Sequence, residues 1–202
     1  MNPLNPKTYT AFEGAACIGL GDITLVAALA KEAIDKDPHA DIHIFDDSTS
    51  ELLELDFRGT VEDVLQRLPA SDQPDKIELR GPGRPKLGVV AREVTLLPRH
   101  WDWLNTQPGG ASVALRKLVE IAKRENVSKD QIRQAQDASY KFMFTMAGNM
   151  PNYEEALRAL YAVNQESFDF QIEKWPMDIK AHTKKLSAAV FQVNQRNIKS
   201  NF

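Results

Sequence analysis

Two short apolar runs open the chain, Tyr9–Phe12 and Ala16–Leu20, on either side of Glu13-Gly14. β-Prone runs flanking a turn dipeptide predict a hairpin. Beyond it the spacing lengthens. Asp22 is placed to cap a helix from Ile23 to Lys36, in which Val26, Leu29, Ala30 and Ala33 recur on one face. Alternation returns at Asp41–Phe45, stops at the turn-forming Asp46–Ser50, and resumes with Leu53, Leu55 and Phe57 against Glu54 and Asp56. Thr60 with Asp63 resembles a capping box and opens a short helix to Leu68. The order β-β-α-β-β-α predicts a small α+β module over residues 1–68.

The next stretch, Pro69–Glu78, is polar and proline-containing and predicts a linker, extended by a basic arm to residue 88. Val89–Leu97 is β-prone. Pro98 suits the first turn of a helix through Asn105, where a backbone donor is not needed, and Pro108-Gly109-Gly110 ends it. Ser112 is placed to cap a following helix whose Leu115, Leu118, Val119 and Ala122 form an apolar stripe. These elements define a segment over residues 89–125. A helical region follows over 126–202, with one helix from Ser128 to about Gly148 and a capping-box pattern at Asn152 and Glu155. After a break at Trp175-Pro176 comes a final helix over Asp178–Val193, and a frayed tail over 194–202. The fold class expected is therefore α+β.

Composition narrows the function classes. With 43% apolar residues, 26% charged residues and a mean hydropathy of -0.39, the 202-residue chain has no run of the roughly 20 apolar residues that span a bilayer. The first nine residues lack the basic start and apolar stretch of a signal peptide. A single cysteine, Cys17, forms neither an internal disulfide nor a thiolate cage, so the expectation is a cytoplasmic chain without metal or cofactor. Charge is unevenly spread. Residues 41–79 carry 3 Lys/Arg against 11 Asp/Glu, and residues 80–124 carry 9 against 3. A basic stretch directly after an acidic one predicts a surface aimed at phosphates, or two blocks that face each other.

Within the basic stretch, Arg80-Gly81-Pro82-Gly83-Arg84-Pro85-Lys86 resembles the core of an AT-hook. Glycine and proline keep the backbone thin and extended. An arginine can then lie along the narrow minor groove of A·T-rich DNA, where the potential is most negative. The neighbouring Arg92–Pro98, helix, Pro108–Ser112, helix resembles a ribbon-helix-helix unit. In that family two chains pair one strand each into a ribbon for the major groove, and the second helix's N-terminus holds a phosphate. The resemblance implies a homodimer, with phosphate contacts from Arg80, Arg92, Arg99, Arg116 and Lys117, backbone amides at Ser112 and Val113, and minor-groove contacts from Arg84 and Lys86. The ribbon departs from the pattern. Its groove-facing places fall on Arg92, Val94 and Leu96, and in the opposite register on Glu93 and Thr95, so neither register reads base edges well.

The run Arg80–Val119, together with YTAFEG near the start and YKFMFTMAGNMPNYEEALRALY near the end, is also similar to a bacterial family of proteins of uncharacterised function, over about residues 8–182. That resemblance implies a bacterial origin and transfers no activity.

Other chemistry-bearing residues have simpler readings. Trp101 with Leu104, Phe142–Met146, and Tyr153, Leu157, Leu160 and Tyr161 recur at helical spacing and predict packing faces. Cys17 beside Ile18 predicts a small core residue. His39 and His43 straddle a strand start without a third ligand. Asp46-Asp47 and Glu154-Glu155 are explained as a turn and a helix first turn. No enzyme is expected; a closed pocket lined by Cys17, a histidine and a carboxylate would reverse that. The function expected is a dimeric DNA-binding regulator or nucleoid-associated factor. The alternative is a protein-interaction or dimerisation module without DNA binding.

Overall fold

Backbone chemistry sets the first elements. The structure, a computed structural model, describes residues 7–68, 90 and 92–199, with side chains through Gln192. Strands β1 (Tyr9–Glu13) and β2 (Ala16–Gly21) form an antiparallel hairpin whose turn residue Gly14 has φ +52°. Helix α1 (Ile23–Lys36) starts where the Asp22 carboxylate accepts the amides of Thr24 and Leu25 at 2.9 and 3.0 Å. Strand β3 (Ile42–Asp46) pairs antiparallel with the other side of β1, giving the order β2-β1-β3. In this register Ala11 faces Ile44 and Phe12 faces His43, so the sheet is apolar on both faces. One face packs Ala11 and Ile44 with Val26 and Ala30 of α1.

The strand expected at Leu53–Phe57 does not form. Only Leu52 bridges Phe45, with the Leu53 amide donating to the Ile44 carbonyl at 2.8 Å. Further on, side chains take over the backbone. Asp56 accepts the Arg58 amide at 3.1 Å, and the Arg67 guanidinium donates to the carbonyls of Asp56 and Arg58. The alternating Leu53, Leu55 and Phe57 still turn inward, onto the α1 face of the sheet. Helix α2 (Val61–Arg67) opens on a true capping box between Thr60 and Asp63.

Among the described residues the rest is helical: α3 (Pro98–Asn105), α4 (Gly110–Ala147), α5 (Tyr153–Tyr161), α6 (Gln165–Gln171) and α7 (Met177–Lys199). The result is α+β, a small three-stranded sheet with seven helices. No break separates the two helices expected on either side of Ser128, because Gly110–Ala147 holds no proline and no internal glycine, and Asn126 folds back onto the Ala122 carbonyl at 2.8 Å. Asn152 takes the left-handed conformation (φ +61°) with no side-chain cap bond, so the capping box expected there is absent.

The chain divides into two compact units, residues 1–69 with 128–202, and residues 70–127. In the first unit the second sheet face carries Phe12 and Phe45, which pack on Phe142 at ring distances of 5.4 and 5.1 Å. Around them close Met143, Leu160, Phe168, Ile172, Ile179 and Val190, all fully or almost fully buried. Trp175 is anchored by its indole N–H, which donates to the Pro151 carbonyl at 2.8 Å. Two expectations are corrected. Cys17, although it pairs with the buried Phe12, is exposed on the edge strand β2, and Phe144 is 64% exposed on the outer side of α4. No described helix is long and apolar enough to cross a membrane.

Candidate nucleic-acid interface and a polar groove

The residues that the sequence assigns to DNA are spread over the second unit. Arg80, Arg84 and Lys86 lie outside the described residues. Arg92 is exposed in Arg92–Leu97, which forms no strand within the single chain. Arg99 stands exposed in the first turn of α3, with Pro98 ahead of it. Arg116 and Lys117 are exposed on α4. None of these four forms an ion pair with another described residue. Ser112 is not a cap. It is the third residue of α4, because Gly109 and Gly110 turn the chain at φ +87° and +73° and the helix starts three residues early. A side chain at Gly109 would also press on Val113 at 3.1 Å. The amides of Ser112 and Val113 therefore stay in the unsatisfied first turn, which holds no acidic residue.

Apolar chemistry in this unit is left incomplete. Among its described residues only Leu104 and Ala114 are buried apolar side chains. Leu96, His100, Trp103, Leu104, Leu115 and Leu118 line an open groove of about 270 Å³. Trp103 is 52% exposed, Leu118 43% and Val119 62%. On α4 the helical period puts Leu115, Leu118, Val119 and Ala122 on one side, and Arg116, Lys117 and Lys123 away from it.

A second constellation, in the first unit, was not legible in the sequence. Asp46 caps its own turn by accepting the amides of Ser48 and Thr49 at 2.8 and 3.2 Å. Asp47 does not. Its Oδ1 accepts the Thr10 hydroxyl at 2.6 Å, and its Oδ2 accepts the Thr8 hydroxyl and the Lys185 ammonium, both at 2.8 Å. Partial burial pushes this carboxyl upward, but the bonds from Lys185, Thr10 and Thr8 outweigh it and hold it below the usual carboxylate range. The pair opens onto a groove of about 490 Å³ between the end of β3, α4 and α7.

Behind the pair lies His182. It is buried in ring contact with Phe142 at 4.5 Å and Phe12 at 5.5 Å, and its Nε2 has no hydrogen-bond partner among the described residues. Loss of solvent, reinforced by the Lys185 charge and opposed by Asp47, pushes its pKa down to about 4. Cys17 is tied to the same region through its amide, which donates to Asp178 at 2.9 Å, and burial pushes its thiol upward. Neither Cys17 nor a histidine lines the groove. His43 lies 3.5 Å from Asp41, and no group of three metal-ligating side chains occurs among the described residues.

Comparison with curated proteins and with solved structures finds no match. Comparison with known families matches residues 8–187 to a family described as uncharacterized protein conserved in bacteria (DUF2239). The match takes in the sheet, the α3–α4 segment and the first 11 residues of α7, and the chain belongs to this bacterial family.

Proposed function

We propose that the protein is a dimeric DNA-binding protein, in which the α3–α4 segments of two copies close over their apolar grooves and the cations beside them meet phosphates. The observation that carries this reading is the second unit's uncovered apolar face beside unpaired cations. In that unit α3, the α4 residues up to Val127 and the segment ahead of them bury only Leu104 and Ala114 among the described residues, and leave most of their apolar surface in water. A second copy supplies the missing half of a core. The unpaired Arg92–Leu97 then has a natural partner in its own symmetry mate.

Arg92, Arg99, Arg116 and Lys117, with the free amides of Ser112 and Val113, supply contacts to phosphate. Arg84 and Lys86, flanked by glycine and proline, supply the minor-groove arm, and Arg80 beside them adds a further phosphate contact. Leu96 lines the groove, whereas Arg92, Glu93 and Thr95 are exposed. An acid there offers no affinity for DNA. The reading therefore assigns binding to the backbone and to minor-groove width rather than to a base code.

Fluorescence anisotropy with A·T-rich and G·C-rich duplexes across a salt series tests it. Affinity should fall with salt, with a slope of about -0.9 per neutralised phosphate, and Arg116→Ala with Lys117→Ala should flatten that slope by up to about four phosphates per dimer, two from each copy. An A·T preference should vanish in Arg84→Ala. Leu118→Glu should yield monomers in sedimentation velocity and weaken binding. A folded dimer that binds neither duplex at low salt overturns the reading and leaves dimerisation or protein interaction as the role of the groove.

A further inference from the structure

The groove at Asp47 and Lys185 is a second site of a different chemical character. Its floor is made of Ala135, Ala138, Leu186 and Ala189. Three alanines on two facing helices keep open a space that larger side chains would close. Its rim carries Ser48, Gln131, Gln134 and Gln192. The three glutamine amides make no hydrogen bond to another described residue, so each offers both a donor and an acceptor. The volume, about 490 Å³, lies within the range of small-molecule sites.

Among the described residues the only charged groups on the lining are Asp47 and Lys185, and they are bonded to each other. Lys185 uses one of its three N–H donors on Asp47, and its side chain is 47% exposed. Asp47 is only 9% exposed and already accepts three bonds, yet its Oδ1 accepts only one of them. A simple anion placed on Lys185 would be repelled by the carboxylate 2.8 Å away, and a simple cation on Asp47 would be repelled by Lys185. A ligand carrying both signs meets attraction at both. Among the described residues no aromatic side chain lines the groove, so they offer no stacking platform of the kind nucleobases use.

We infer that this groove binds a small zwitterion of the short-peptide class, its carboxylate on Lys185, its ammonium beside Asp47 and its peptide amide among the glutamines. Thr8 and Thr10 hold Asp47 in place and are positioning residues. The site is wholly built within the first unit and does not depend on DNA binding.

Isothermal titration of the full chain, without DNA, uses L-alanyl-L-alanine as the probe and its N-acetyl, C-amide form as the uncharged control. The zwitterion should saturate the protein, with the blocked form weaker by about tenfold or more. Lys185→Met keeps the aliphatic stem and should weaken the zwitterion by about the same factor. Ala189→Trp fills the groove from an exposed position, so it should abolish binding while leaving the far-UV spectrum and melting curve unchanged. Equal affinity for the charged and blocked forms overturns recognition by the ion pair. No saturable heat up to about 10 mM zwitterion overturns the site itself. Unchanged binding in a folded Ala189→Trp variant places the ligand elsewhere and also overturns it.

Discussion

Acid should destabilise the first unit through a single buried ring. His182 is 6% exposed and packed between Phe12 and Phe142, its Nε2 has no partner among the described residues, and its pKa falls from 6.5 to about 4. The charged groups facing it are Lys185, one turn along α7, and Asp47 at the end of β3. Above pH 6.5 the ring is neutral in both folded and unfolded chains, and its contribution to stability is complete. As pH falls toward 4 the unfolded chain takes up a proton that the folded chain refuses, and stability is lost. The displacement corresponds to about 3 kcal/mol in total, at roughly 1 kcal/mol per pH unit through the middle of the window. Urea unfolding of the wild type and of His182→Leu, at intervals from pH 7 to pH 4, isolates the effect, because every other titrating group is common to both chains. The wild type should lose about 3 kcal/mol more than the variant across the window. Parallel pH profiles for the two proteins would refute the assignment of a buried, neutral imidazole.

Three further outcomes follow from particular contacts. Asp47→Asn should cost about 1–3 kcal/mol at pH 7, since Lys185, Thr8 and Thr10 all donate to that carboxylate. Its folded pKa is depressed, so the wild type's advantage is present above about pH 3.9 and should shrink on acidification below that value in denaturant titrations. Gly109→Ala should destabilise the second unit by about 1–2 kcal/mol, read by hydrogen exchange across α3 and the start of α4, because φ is +87° there and Val113 lies 3.1 Å from the new methyl. Thr183→Val should be neutral or stabilising by up to about 1 kcal/mol in thermal melts, because the fully buried Thr183 hydroxyl has no partner among the described residues.

Local signals predicted local structure well in this chain. Asp22 caps α1, Thr60 and Asp63 form their box, and Pro98 opens α3, each because a side chain satisfies or spares an orphan amide within a few residues. Failures occurred where the deciding partner was distant or absent. Leu53–Phe57 alternates like a strand, but a strand needs a neighbouring edge, and the chain beyond Leu53 is bound to Asp56 and Arg67 instead. Ser112 looked like a cap because caps are read from residue type, whereas two consecutive left-handed glycines had already begun the helix. Cys17 has apolar neighbours in sequence and pairs with the buried Phe12, yet it stands on the edge strand, where cover depends on distant elements.

The same logic separates the two candidate sites. The proposed nucleic-acid surface is legible because its basic residues lie within one stretch of chain, and charge density is a property that sequence displays directly. The groove is built from Asp47, α4 and α7, and its central ion pair joins residues 138 positions apart. Asp46-Asp47 reads as a turn from sequence, and half of that reading holds, since Asp46 spends its carboxylate on Ser48 and Thr49. What distinguishes Asp47 is that, just past β3, its amide donates to the Thr8 carbonyl at 2.9 Å and its carboxylate is taken by Thr8, Thr10 and Lys185. His182 carried one overlooked signal. With Ile179, Leu186 and Val190 it falls on a single helical face, and a histidine on an otherwise apolar stripe marks a buried, neutral ring. Two adjacent elements thus put a nearly buried carboxylate, a half-exposed ammonium and a neutral imidazole side by side. That arrangement costs desolvation at each group, whereas apolar residues of similar volume would fill the same seam without that cost. The part of the sheet–helix seam that departs furthest from simple packing is thus the part that borders the groove.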